Sequence, residues 1–465
     1  MKQRKSDRRH SFFPYTFLSA ILLTSCATAP PPKTAEVVDD ALPESTEIRD
    51  DWAAGAGDSG RVDDGWIATF NDPMLNELVD EAIHNNLNLR LAASQVDRAA
   101  GLARMAGASL KPAVGLGGNY GETWSQTDLL SGNSYNAALT VSWELDVWGK
   151  LRSRKAAGEA GLEATVADFE YARQSIAATT AKTWFLATEI TQQLALSNQS
   201  VEIFSEILEI VEAKEEVGQV SMQDVYLTAA DVASAEEAAQ QATAARESIM
   251  RGLEVLLGRY PAAEIETADE QLPVPPEISV GVPADLIERR PDLKAAEARV
   301  RAAFHMSEEA RLAKLPSFNL SAAGGYTSLT DLIGNLAAGL VAPLYTGGAL
   351  EGQLEVATAD QMAAVAAYGM TVLGAFEEVE TAMANEKIFA KRQELLETVV
   401  FNNESAYELA NAQYEVGRIE VLDMLQIQAR VLAAKSGLIR IQNERLAQRV
   451  NLHLALGGSF EENQP

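Results

Sequence analysis

Cys26 is the one thiol in the 465-residue chain, and the residues before it decide its chemistry. Leu23-Thr24-Ser25-Cys26 resembles the bacterial lipobox, in which the cysteine sulfur takes a diacylglycerol and the residue becomes the mature N-terminus. Lys2, Arg4, Lys5, Arg8 and Arg9 supply a positive n-region, and residues 16–23 supply an apolar h-region too short to span a bilayer. Residues 1–25 are therefore expected to be a lipoprotein signal peptide and 26–65 a lipidated tether. A diacylglycerol plus an amide-linked acyl chain anchors stably where a single chain does not. Other reactive chemistry is scarce. His10, His84, His305 and His453 are scattered without metal-ligand spacing, and no GxSxG, P-loop or HExxH occurs. The expectation is no catalysis, no metal and no cofactor. Two carboxylates stand at matched positions, Asp224 and Asp423, each six residues after a glycine, Gly218 and Gly417. Ser221 and Asp224 have the spacing of a capping box, and Glu420 and Asp423 occupy the same spacing. A carboxylate is favoured in a first helical turn in any case. Each of the two is thus either a helix cap or a free acid.

The net charge of −28 includes a signal of net +4, which leaves the mature chain near −32. Such a charge repels nucleic acid and anionic surfaces, so no nucleic-acid partner is expected.

The elements that position these residues are written twice. "EVGQVSMQDV" (216–225) matches "EVGRIEVLDM" (415–424) at an offset of 199, and "ARMAGASLKP" (103–112) resembles "ARLAKLP" (310–316) at an offset of 204. A repeat this long indicates a duplicated unit. Each copy runs helix, strand, strand, long helix, helix. The first copy covers 66–260, with helices at 73–110, 149–216 and 221–258 and a β-hairpin near 113–146. A Pro-rich linker spans 261–283. The second copy covers 284–458, with helices at 284–315, 348–415 and 420–457 and a hairpin near 317–344, before a tail at 459–465. The turns between long and returning helices fall on Gly218 and Gly417. Ala, Glu, Gln, Leu and Arg dominate the helices, as helix propensity requires.

The strands alternate. In residues 135–146, Tyr135, Ala137, Leu139, Val141, Trp143 and Leu145 share one face, opposite Asn136, Thr140, Ser142 and Glu144. Each of the four strands has ten to thirteen residues in this reading, about what a tilted strand needs to cross a bilayer. A sheet in lipid must close, and four strands cannot close alone. Three copies give a trimeric twelve-stranded β-barrel with the wet faces lining a pore. A 68-residue helix rises about 100 Å, so the fold expected is mainly α, a membrane β-barrel continued by a long α-helical tube. The alternative is a pore-less anchored structural lipoprotein.

These stretches resemble the TolC-like outer-membrane efflux channel family, in its lipoprotein branch of the OprM and NodT type. The resemblance runs from about Trp66 to Gly458 and is most specific in "VSWELDVWGKLRSRKAA" (141–157), "VPADLIERRPDLKAAEARVRAA" (282–303) and "APLYTGGAL" (342–350). It implies a homotrimer in the outer membrane that extends into the periplasm. It further implies docking with a periplasmic adaptor (membrane fusion) protein and an inner-membrane, usually proton-driven, transporter. The cargo would be drugs or other toxic small molecules, and an exit duct for protein secretion stays open beside it.

The family's gate lies at the periplasmic tip. By resemblance, the Tyr of a Tyr-x-x-Gly turn that locks neighbouring helices by hydrogen bonds falls on Tyr414. An acidic ring position falls on Asp423, an apolar constriction on Leu422, and a second acidic position on Gln426. The Arg of the lipoprotein branch is replaced by Ala429, which puts that inter-helix bond in doubt. Asp224 is a possible tip or cap residue. Arg289 and Arg290 are expected to be salt-bridged structural residues.

Overall fold

A computed structural model describes residues 28–43, 45–55, 60, 62–124, 132–267, 272–276, 278–327 and 331–461. In chain order the elements are α1 (Thr34–Ala41), a 3₁₀ turn (Trp66–Phe70), α2 (Pro73–Asn85), α3 (Leu87–Ala108), β1 (Ala113–Thr123) and β2 (Gly132–Leu145). There follow α4 (Lys150–Glu216), α5 (Met222–Leu256), α6 (Pro283–Arg289), α7 (Pro291–Leu312), β3 (Ser317–Thr327), β4 (Asp331–Val341), α8 (Ala349–Glu415) and α9 (Val421–Ala455).

Two compact units result. One draws on Met1–Pro43, Val96–Thr165 and Ala296–Gly369, and the other on Glu44–Gln95, Val166–Ala295 and Met370–Pro465. Each contains residues of both sequence copies, so neither copy is a compact unit by itself.

The first unit holds one four-stranded antiparallel sheet in the order β1-β2-β3-β4. Its register keeps the faces apart. Leu116 opposes Leu139, which opposes Gly324, and Val141 opposes Ala322, which opposes Leu336. The apolar face carries Val114, Leu116, Tyr120, Leu139, Tyr326 and Leu336, all exposed, with Leu116 at 81% and Leu336 at 82%. The other face carries Gly115, Asn119, Thr140, Ser142, Ser321 and Asn335. Gly325 of β3 lies opposite Ala138 of β2. An added Cβ would collide with the Ala137 carbonyl and with Ala138, so only glycine keeps this register.

The second unit holds a core of Trp66, Phe70, Leu75, Leu78, Trp184, Phe185, Met250, Leu253, Leu446 and Val450, each under 4% exposed. The start of α2 shows how sequence builds this core. Asp72 precedes Pro73 at N1, and its Oδ1 accepts from the backbone N–H of Met74 (2.9 Å) and Leu75 (3.2 Å). Its Oδ2 accepts from Trp184 Nε1 at 2.7 Å, which fixes α2 on α4.

Three expectations need correction. The single helix expected over 73–110 is two, because Asn86 leaves the helical region (φ −61°, ψ 126°). Its Oδ1 caps α3 through Asn88 and Leu89, and its Nδ2 donates to the Leu256 carbonyl. The helix expected over 284–315 is also two, broken at Arg290 (φ −67°, ψ 127°), the residue that Pro291 excludes from helix. The two breaks fall at matching positions of the copies, at the offset of 204. Finally, β4 stops at Val341, short of the expected 344, ahead of Pro343.

Candidate functional site

The two helix turns are built alike. Gly218 (φ 72°) and Gly417 (φ 71°) take the left-handed conformation. Nothing lies within 4 Å of where either Cβ would be, so the demand for glycine is conformational rather than steric. The N–H of Gly218 donates to Glu215 O and that of Gln219 to Lys214 O. Gly417 and Arg418 repeat this with Tyr414 O and Gln413 O, at 2.8–2.9 Å throughout. That is the Schellman pattern, and it consumes the last carbonyls of α4 and α8.

The next helix starts differ. Ser221 caps α5 in a complete capping box. Its hydroxyl accepts from Asp224 N (3.3 Å), and the Asp224 carboxylate accepts from Ser221 N (2.9 Å) and Ser221 Oγ (2.8 Å). The Ser221 backbone N–H, then its hydroxyl, hold the Asp224 carboxyl below the usual range. Asp224 is thereby a cap. At α9 the cap position is Glu420, whose side chain makes no cap bond. A glutamate is too long to fold back as serine does. Asp423 is exposed and makes no ion pair or hydrogen bond among the described residues. The first turns of α9 divide cleanly. Val421, Met424, Leu425 and Gln428 are buried, whereas Leu422, Asp423, Gln426 and Ala429 face outward. The structure therefore brings Leu422, Asp423 and Gln426 to one side of one helix.

Tyr414 lies elsewhere. It is 7% exposed and packs with Phe204, Ile207, Val211, Met424 and Leu425. Its hydroxyl is buried and has no hydrogen-bond partner among the described residues. The hydroxyl lock implied by the resemblance is not made among the described residues of one chain. Instead Lys214 Nζ stands 3.7 Å above the Tyr414 ring centroid, so a cation–π contact ties α8 to α4. Lys214 carried no signal in the sequence, since its partner is on another helix. Cys26 lies outside the described residues.

Buried charges brace the same unit. Arg290 is 2% exposed and reaches Asp292 and Glu378 at 2.7 Å and the Ala455 carbonyl at 3.0 Å. Arg289 pairs with Asp64 at 2.8 Å. Both arginines are thus ion-paired structural residues. Although burial alone would lower the Arg290 pKa, Asp292 and then Glu378 raise it overall. Glu254, 2% exposed, accepts the backbone N–H of Ala263 and Glu264 at 2.7 Å each and so shapes the start of the Pro-rich linker.

A four-stranded sheet with one exposed apolar face and two edges unpaired among the described residues, joined to helices of 67 residues, defines a membrane channel of the barrel-and-tunnel class. The comparisons narrow the class. The family described as "Outer membrane efflux protein" matches residues 78–259 and 282–458, and the chain belongs to that family. The toluene efflux pump outer membrane protein TtgC of Pseudomonas putida is 30% identical over 479 residues, covering 96% of this chain and 95% of the relative. The pyoverdine export outer membrane protein OpmQ of Pseudomonas putida is 29% identical over 424 residues, covering 87% and 90%. Among solved structures, the Campylobacter jejuni CmeC outer membrane channel superposes with a TM-score of 0.83 at 23% identity, covering 91% of this chain and 95% of that one. The protein is an outer-membrane efflux channel component.

Proposed function

We propose that three copies close their sheets edge to edge into a twelve-stranded barrel and conduct small toxic molecules passively through the outer membrane. The observation that carries this is the sheet itself. Its apolar face is exposed along all four strands, and its edges β1 and β4 are unpaired among the described residues. Within lipid, an open edge leaves backbone groups unsatisfied at a cost of several kcal/mol each, so closure by further copies is required. The small polar face then lines the lumen. The helical hairpins continue the duct into the periplasm, where an adaptor protein and a proton-driven inner-membrane transporter deliver cargo.

The gate in this proposal is the outward side of the α9 start. Leu422 narrows the tip, and Asp423 supplies an uncommitted carboxylate. Three such carboxylates around an axis attract cations. Gln426 adds no charge. Cys26 carries the lipid anchor, and Thr28, two residues on, packs against Gly149 at the β2–α4 junction. Metabolic fatty-acid labelling of the wild type, lost in Cys26→Ser, tests the anchor. Single-channel recording of the purified protein in planar bilayers tests the conduit. Discrete steps are expected, with block by a multivalent cation from the side of the helical tips. A preparation that gives no channels and weighs as a monomer in mild detergent overturns the proposal.

A further inference from the structure

The chain is strongly acidic, but its charge is not evenly spread. The three segments that join helices to strands at 104–112, 146–155 and 308–316 hold eight basic residues against three acidic ones. The fourth junction, 342–351, has no basic residue. The bias therefore belongs to one part of the sheet's helix-side end and is not copied by the repeat.

Two indoles mark the same level. Trp143 stands on the apolar face of β2, and its Nε1 donates to the Leu110 carbonyl at 3.0 Å. Trp148 donates to the Pro316 carbonyl at 2.7 Å and leans on Phe318, with ring centroids 6.4 Å apart. Phe318 belongs to the apolar face, opposite Leu145. Each indole thus pins the chain next to a lysine. Lys111 follows Leu110, and Lys314 lies two residues before Pro316. Neither ammonium is ion-paired among the described residues; Lys111 is exposed and Lys314 is half-buried. Around them, Arg152 and Arg154 bind Asp146 and Glu309 but keep about half of each side chain exposed. Tyr345, 91% exposed, adds a third aromatic ring at the helix-side end of β4.

Aromatic rings with polar handles sit at the boundary between lipid tails and headgroups, and lysines beyond them meet phosphates. We propose that this rim is a binding surface for anionic phospholipid headgroups, with Lys111 and Lys314 as the phosphate-facing cations. This rests on the assignment of the apolar strand face to lipid. The net charge of the whole chain does not forbid it, because interactions beyond about 8–10 Å are screened at physiological salt. Acidic side chains farther away than that act weakly at the rim, whereas the junction lysines meet a headgroup at contact. The lipid-facing skirt consequently carries its own headgroup preference, independent of the conduit's acidic tip.

The test uses the full-length protein in bilayers that mix brominated phosphatidylglycerol with unbrominated phosphatidylcholine, and the reverse pairing. Bromine quenches indole fluorescence at contact, so the two titrations give a relative binding constant for the two headgroups. The wild type is expected to prefer phosphatidylglycerol about 25-fold. Each lysine removed should weaken that preference roughly fivefold, so that Lys111→Gln with Lys314→Gln brings the constant to about one. Salt at 0.5 M should erode the wild-type preference and leave the double variant unchanged. Equal quenching by both lipids in the wild type, or an undiminished preference in the double variant, overturns the inference. Free phosphate at tens of millimolar should not abolish the preference, and if it does, the site is an anion site rather than a lipid one. If neither lipid quenches, the strand face does not contact lipid, and the membrane assignment falls with the inference. The Lys111→Gln and Lys314→Gln proteins are accepted for comparison when they form channels of wild-type conductance.

Discussion

His453 should make this protein acid-labile. The ring is 2% exposed, and neither nitrogen has a hydrogen-bond partner among the described residues. It stacks on Trp66 with centroids 5.6 Å apart and an interplanar angle of 16°. One turn earlier on α9, the Arg449 guanidinium donates to the carbonyls of Pro275 and Pro276 and to Glu386 Oε1. Burial first, and the positive charge of Arg449 second, push the His453 pKa down to about 3. An unfolded histidine titrates near 6.5. At pH 5 the unfolded chain therefore binds a proton here and the folded chain does not. Stability is complete above pH 6.5 and falls as the pH drops from there toward 3. Between pH 7 and pH 5 the loss from this one group is roughly 2 kcal/mol. His453→Phe keeps a flat ring against Trp66 and removes the titration. Urea unfolding of wild type and variant in the same detergent, at pH 7 and pH 5, isolates the group, because all other titrations cancel in the difference. The wild type should lose about 2 kcal/mol relative to the variant over that interval. A difference that stays the same at both pH values refutes the burial argument.

The remaining predictions concern the tip and the sheet. Tyr414→Phe removes a buried hydroxyl with no partner, so stability should hold or rise and conductance should not change. A rise in basal conductance would show that the hydroxyl is bonded between copies. Tyr414→Leu also removes the ring beneath Lys214 and should cost about 0.5–1 kcal/mol in unfolding measurements. Leu139→Arg places charge on the lipid side and should cost about 2–4 kcal/mol, visible as lost trimer in detergent gels. Ser142→Arg on the opposite face should assemble normally and lower conductance, and equal damage from both would refute the face assignment. Asp423→Asn should weaken cation block with unchanged stability. Asp224→Asn should do the reverse, since its carboxylate is spent on Ser221. Bilayer recordings beside unfolding curves read both.

The strands and the glycine turns were legible because their causes are local. A period of two is written in consecutive residues, and a left-handed turn asks for glycine wherever it occurs. The difference between the two tips was equally open to reading, since Ser221 can cap and Glu420 cannot. The helix breaks were partly legible. Pro291 announces the bend at Arg290, but Asn86 interrupts a helical pattern that runs on through it. Its reason is the Leu256 carbonyl, which no local pattern reveals. The same holds for Tyr414. Its spacing before Gly417 is visible in sequence, but its partner Lys214 comes from a helix that the chain reaches only after folding. The rim lysines escaped attention because a net charge of −28 averages them away.

The pairing of β2 with β3 has a consequence for the order of folding. Leu145 pairs with Phe318, and between them the chain makes helices of 67 and 35 residues. Each helical hairpin is a local structure that can form as soon as its own residues are available. The central seam of the sheet cannot form until β3 has emerged. Up to that moment the β1–β2 hairpin is an isolated pair, marginal in water. The sheet is therefore completed only after α4 and α5 have been made, whereas α8 and α9 follow it in the chain. Late completion of the seam keeps a sticky surface divided until both hairpins are present.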